Sequence, residues 1–250
     1  MLRAMIMAAV LAIIASTAAA KDVRKLGAAQ LVVVSTASWD ATQGSLRRFE
    51  WDGARWKSRG AAVPIAIGRT GSAWGIGLHD PQPGLQKQEG DGRSPAGIFA
   101  IGTAFGYEER ISATFPYQAM SPFDYCVDVN GSPLYNQIVD ERRVGKTAIE
   151  KSTEPMRRDV HANGDQRYKL GFVIEHNPKN VSASGSCIFA HLWNTPGQTT
   201  AGCTAMAESA MRELVAWLDA RQRPLFVLLP MPEYARLRSS WGLPQVESTP

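Results

Sequence analysis

Only one stretch of this chain has helical periodicity: Ala207, Met211, Leu214, Val215 and Leu218 recur on one face between Ala207 and Arg221, with Glu208 in the first turn and Arg221, Arg223 and Pro224 at the exit. Everything before it reads as short strands and tight turns. QLVVVST (30 to 36) is a β-branched run suited to a buried strand, and SLRRFEWDGARWKS (45 to 58) reads as two alternating strands around the hairpin-turn pair Asp52-Gly53. PAGIFAIG, YCVDV, GFVIEH and GSCIFAHLW (185 to 193) add further strands, and PLFVLLP (224 to 230) closes the series. Glu233 to Trp241 reads as a short helix before a proline-containing tail. These periods predict a mainly β fold, a β-sandwich or mixed sheet in one domain, with one helix bracing the segment around Cys203.

No internal repeat or long linker divides the chain, and 44% hydrophobic with 20% charged residues is ordinary for a globular protein with a real core. The first twenty residues differ. Arg3 gives a basic start, Met5 to Ile14 an apolar run, and Ala18-Ala19-Ala20 a cleavage site before Lys21, which together predict a secretory leader. Residues 21 to 29 are then a lead-in, 30 to 230 the domain, and 231 to 250 a C-terminal extension. No cysteine follows the cleavage site, and no later segment is long and apolar enough to span a bilayer, so no stable membrane insertion is expected after cleavage. The formal charge of +4 falls by one when Arg3 leaves, too mild to demand a polyanion, and no basic run with interleaved aromatics suggests nucleic acid.

Export places the chain where cysteines pair, and there are three. Cys126 and Cys187 sit in strand-like runs and are expected to form a structural bridge, which leaves Cys203, in a glycine-bearing turn, as the odd thiol. His191 precedes Cys203 by twelve positions, with Asn194 to Gly197 as a turn between them. A hairpin returning through Thr199 to Met206 would bring a potential base against a potential nucleophile. Gly202, lacking a side chain, lets a substrate carbonyl approach the amides around Cys203, with Thr200 and Thr204 framing the turn. A thiol beside such a base is expected to alkylate below the free-cysteine value of about 8.5. The plain alternative for each residue alone is a packing thiol or a core histidine. A metal site is not favoured: on one strand at roughly 3.3 Å per residue, Cys187 and His191 lie about 13 Å apart, too far for one zinc. No cofactor is expected. His176, His79 and His161 belong to no constellation, and His176 reads as structural or exposed.

His191 with Thr200-Ala201-Gly202-Cys203, together with EGDGRSPAGIFAIG upstream and YCVDV, LYNQIVD and GSCIFAH between, resembles the L,D-transpeptidase catalytic domain of the YkuD type over about residues 30 to 230. The chain departs from the commoner pattern at Ala201 and Ala205, where that pattern has His and Arg, and its His-to-Cys interval is shorter. The resemblance implies a cysteine acyltransferase of the periplasm or cell envelope that acts on peptidoglycan stem peptides in wall remodelling or cross-linking. Cys203 is then the nucleophile, His191 the general acid and base, and a backbone carbonyl the group that orients His191. Carbapenem acylation of Cys203 and poor inhibition by penicillin are further implications. The competing readings are an L,D-carboxypeptidase, if water is the acceptor, a sortase-like transpeptidase using Arg212, and a non-catalytic wall-binding module. Arg212 inside the helix and the short His-to-Cys interval speak against the sortase, and a papain-like peptidase has the reverse order of Cys and His.

Overall fold

The computed structural model describes residues 22–246, so the leader expected over residues 1–20 lies outside the described residues. Its strands are β1 (Gln30–Thr36), β2 (Gln43–Trp51), β3 (Trp56–Ala66), β4 (Ser72–Trp74), β5 (Ser94–Gly106), β6 (Tyr117–Ala119) and β7 (Asp124–Cys126). They continue as β8 (Ile138–Asp140), β9 (Glu154–Pro155), β10 (Leu170–Ile174), β11 (Phe189–Leu192), β12 (Thr204–Met206) and β13 (Leu225–Pro230). The fold is mainly β, as the sequence predicts.

The β2–β3 hairpin forms where Asp52 places its side chain under the turn, accepting from the Ala54 and Arg55 amides at 2.9 and 2.8 Å. Every residue of β1 and β13 is buried, and β1 lies between its antiparallel partner β2 and its parallel partner β13. Continuous apolar runs such as VVV and LFVLL suit this position, because both faces of the strand are covered. The large sheet follows the order β10-β11-β12-β3-β2-β1-β13-β5-β4. It also closes on itself. The first half of β5 pairs with β13, from Gly97 to Ala100, and the second half pairs with β10, from Ile101 to Gly106. One long strand thus belongs to both ends of the sheet, and Gly97 lets it pass close to the His79 ring, which a Cβ there would meet at 2.0 Å.

The bracing helix spans Glu208–Trp217 and buries Met211, Leu214 and Val215, packing over β10 and β11. It stops four residues earlier than its periodicity predicts. Leu218 is extended, and the Asp219 side chain accepts from the Arg221 amide at 3.0 Å, capping a separate short 3-10 turn, Ala220–Gln222. The last helix spans Met231–Leu237 rather than Glu233 to Trp241, because Pro232 sets its first turn. Single-turn helices at Glu141–Val144, Lys146–Ile149 and Arg158–His161 carry no apolar period and were not anticipated. Both flanks of the domain are tied to the core: the Val23 amide donates to the Trp241 carbonyl at 2.9 Å, and Val23, Trp241 and Leu243 are buried.

A second, three-stranded sheet runs β8-β7-β9, with Cys126 of β7 opposite Glu154 of β9. A disulfide joins Cys126 to Cys187, with Cα atoms 5.9 Å apart, and so fastens this small sheet to the segment leading into β11. It closes a loop of 61 residues in sequence separation. Loop-closure entropy gives such a bridge about 4 kcal/mol of stabilisation.

Candidate active site

The segment from His191 to Cys203 does not form the expected hairpin. β11 and β12 run parallel, with Ala190 opposite Thr204, His191 opposite Ala205 and Leu192 opposite Met206. The loop between them must therefore travel back to the start of β11 before the chain can re-enter the sheet. Thr200 anchors that return: its amide donates to the Ile67 carbonyl and its carbonyl accepts from the Arg69 amide, both at 2.9 Å, beside the end of β3. The return brings Cys203 alongside Phe189. Because successive side chains alternate across a sheet, His191, Ala205 and Cys203 share one face, while Thr204 points to the other. His191 and Cys203 line the same cavity of about 50 Å³, with Tyr168, Arg167, Glu154 and Trp193 among its other walls.

The strand predicted over 185 to 193 is shorter, Phe189–Leu192, because Cys187 has a left-handed backbone with φ of 55°. The disulfide and the Asn136 side chain, whose oxygen accepts from the Cys187 amide at 2.9 Å, hold it there. This conformation turns the Cys187 carbonyl toward Cys203. The Cys203 thiol donates to that oxygen at 3.4 Å, and its sulfur accepts from the Phe189 amide at 3.3 Å.

The turn before Cys203 is held from within. The Thr200 hydroxyl accepts from the Gly202 amide at 3.1 Å and donates to the Cys203 carbonyl at 2.7 Å, and Ser94 Oγ donates to the same carbonyl at 3.0 Å. A Cβ on Gly202 would lie 3.0 Å from the Arg93 carbonyl oxygen, so a side chain is disfavoured there. The bond to Thr200 engages the Gly202 N–H within the turn. The Cys203 amide makes no hydrogen bond among the described residues.

His191 is buried, and its Nδ1 lies 2.7 Å from the Leu192 carbonyl oxygen. A carbonyl can only accept, so Nδ1 carries the proton and Nε2 carries the lone pair. The Tyr168 ring meets the imidazole edge to face at 5.4 Å between centroids. Burial lowers the His191 pKa to about 4, against the Leu192 carbonyl, which raises it. Burial also raises the Cys203 pKa to about 12, aided by the nearby Glu154 charge and opposed by the Phe189 amide. Thiol and imidazole are therefore both neutral at rest, rather than a thiolate–imidazolium pair. This reverses the expectation of alkylation below the free-cysteine value: the pH midpoint for iodoacetamide labelling of Cys203 should lie well above about 8.5. A midpoint at or below that value, read by intact mass across pH 6 to 11, would contradict the buried neutral thiol.

Three residues at this site carry no motif spacing that would have exposed them. Glu154 lies in a two-residue strand, Tyr168 in a polar segment, and Arg167 in the turn before β10. The Arg167 carbonyl accepts from the Leu192 amide at 3.0 Å, which sets Arg167 beside His191, and Asp165 holds its guanidinium. Arg167 thus lines the cavity as the cation of an ion pair with Asp165. A second cavity of about 310 Å³ also borders Cys203, with Arg69, Lys87, Glu154 and Ser186 among its walls. Arg212 stays outside both cavities, paired with Glu108 and Glu208 on the helix surface. His176 is buried, accepting from the Ile76 amide at 3.2 Å and bonded to the Ser184 carbonyl at 2.8 Å, so its role is structural. His79 is buried between Trp74, Phe99 and Trp241, and His161 bonds the Pro122 carbonyl, both away from Cys203.

Cys203 and His191 thus share one walled face of a mainly β domain. Residues 39–227 match the L,D-transpeptidase catalytic domain, YkuD, and the chain belongs to that family. Domains of this family act on peptidoglycan stem peptides. Among solved structures, the chain is similar to the structure of Bdellovibrio bacteriovorus Bd1075, at 12% identity and a TM-score of 0.40, over 84% of this chain and 51% of that one. The chain thus spans about half the length of that protein. A comparison with curated proteins finds no match. Among the described residues, no helix is long and apolar enough to cross a membrane.

Proposed function

We propose that the chain is an exported L,D-transpeptidase of the periplasm or cell envelope, which cleaves the bond before the terminal D-residue of a wall stem peptide through a Cys203 thioester. The observation that carries this reading is the shared cavity of Cys203 and His191, with Nδ1 of His191 fixed on the Leu192 carbonyl and Nε2 left as a base. The proton inventory favours concerted transfer. Since the resting thiol is neutral, His191 takes its proton as sulfur attacks the carbonyl carbon, and the imidazolium then protonates the leaving amine.

The amide without a partner, that of Cys203, is the donor placed for the developing oxyanion, a contact typically worth about 3 kcal/mol. Thr200, Gly202 and Ser94 act one step back, by fixing the peptide that presents it. Arg167, paired with Asp165, is the cation that lines this cavity and would meet a substrate carboxylate there. An acceptor amine attacking the thioester gives a cross-link; water gives a shortened stem.

Incubation of the full chain with purified wall tetrapeptides is expected to yield tripeptide and a free terminal D-residue by mass spectrometry. A carbapenem is expected to add covalently to Cys203, and a penicillin to do so poorly. Intact tetrapeptide together with an unmodified protein mass would refute the reading.

A further inference from the structure

An ammonium acceptor carries one proton more than this thiol–imidazole pair can handle. As R–NH₃⁺ becomes the amide R–NH–CO, it loses two protons. One returns through His191 to the departing sulfur and restores the Cys203 thiol. The other must be removed before attack, because an ammonium nitrogen has no lone pair. Water needs no such prior step, since it attacks with a free lone pair. Choice of amine over water therefore calls for a second base within reach of the thioester.

Glu154 is the carboxylate that borders Cys203 in both cavities, the one shared with His191 and the larger one. Tyr168 Oη donates to its Oε2 at 2.5 Å and Arg158 Nη1 to the same oxygen at 3.4 Å, while Oε1 has no hydrogen bond among the described residues. The neighbouring carboxylates are already occupied. Glu89 receives the Tyr135 and Ser186 hydroxyls, Asp128 receives Ser152 and Thr153, and Asp165 is held by Arg158 and Arg167. The framework around Glu154 is also rigid. Its β9 position pairs with Cys126, Cys126 is bridged to Cys187, and the Cys187 carbonyl holds the Cys203 thiol. On its other side Tyr168 links it to the His191 ring.

We propose that Glu154 binds the ammonium of the acceptor amine through Oε1 and takes its first proton, so that the Cys203 thioester passes to an amine rather than to water. The proposal rests on the thioester reading above. In the balanced step, R–NH₃⁺ gives a proton to the Glu154 carboxylate, the freed lone pair forms the C–N bond, and the C–S bond breaks. His191 moves the second proton from nitrogen to sulfur, and the Glu154 carboxyl releases its proton to solvent through the larger cavity. Burial raises the Glu154 pKa above that of an ordinary glutamate, which suits a proton acceptor that must also let go.

The test compares wild type, Glu154→Gln and Glu154→Asp with wall tetrapeptide as donor and two amines as acceptors. D-Methionine arrives as an ammonium, whereas hydroxylamine is largely unprotonated at neutral pH and needs no first base. Glu154→Gln keeps an oxygen for Tyr168 but loses the basic group. Its ratio of D-methionine adduct to hydrolysed tripeptide is expected to fall by about 100-fold, with hydroxylamine capture retained and Glu154→Asp intermediate. A carbapenem adduct on Cys203 in each variant reports a folded, acylating site. An equal loss of both amine products would overturn the proposal in favour of a purely structural Glu154, as would an unchanged D-methionine ratio. Wild type that acylates but yields only tripeptide would overturn it while leaving the thioester reading standing. No adduct and no tripeptide in wild type would remove both.

Discussion

Replacing Cys203 with alanine is expected to lower kcat for release of the terminal D-residue by on the order of 10⁶, the scale seen when the nucleophile of a catalytic unit is deleted. No neighbouring group can substitute. Cys126 and Cys187 are locked in their disulfide, and no other free cysteine is found among the described residues. His191→Ala should cost about 10² to 10⁴, the usual worth of a positioned base, because the Cys203 thiol with a pKa near 12 forms almost no thiolate unaided. The double variant should be no slower than Cys203→Ala, since His191 acts only through that sulfur. Single-turnover assays with quantified tripeptide measure all three. Comparable residual rates in Cys203→Ala and wild type would remove Cys203 from the chemistry, and additive losses in the double variant would mean that His191 acts elsewhere.

Much of this architecture was legible in the residue order, and the misses share a cause. VVV in β1 and LFVLL in β13 announce buried strands, Asp52-Gly53 announces a hairpin, and the Met211–Leu214–Val215 stripe announces the bracing helix, because each signal is local. The pairing of β11 with β12 is not local. Asn194 to Gly197 does turn the chain, but a turn signal cannot say whether the chain returns antiparallel or loops back to run parallel. What decides it is Thr200 bonding to the end of β3, a contact between residues more than a hundred positions apart in the chain. Glu154, Tyr168 and Arg167 were invisible for the same reason. They meet Cys203 only after a disulfide and a closed sheet have folded distant segments together. The thiol's acidity was misjudged because sequence shows that a histidine is near but not how dry the pocket is, and here burial outweighs every favourable neighbour.

Acidification from pH 7 to 4.5 is expected to destabilise the fold through His191 and His176. His191 and His176 are both buried, and burial lowers each pKa from 6.5 to about 4. On acidification the unfolded chain takes up these protons first, near its ordinary value, while the folded chain resists. Stability from each group is therefore fully present above about 6.5 and is lost as pH falls toward 4, by roughly 3 kcal/mol per histidine. Glu154 and Glu175 act in the opposite sense: burial raises their pKa values, so protonation relieves a cost that they impose at neutral pH. Asp165, held low by Arg167 and Arg158 in spite of its burial, loses its contribution only at lower pH. His191 and His176 should dominate the interval, because burial lowers each from 6.5 to about 4. Urea unfolding at half-unit pH steps gives the slope, and the variants His191→Gln and His176→Gln should each flatten it by about one proton. His176 is the cleaner probe because it lies outside both cavities that border Cys203. A stability that is flat between pH 7 and 4.5, with a slope unmoved by His176→Gln, would show that the imidazoles are hydrated rather than dry, and the neutral thiol–imidazole pair would lose its physical basis.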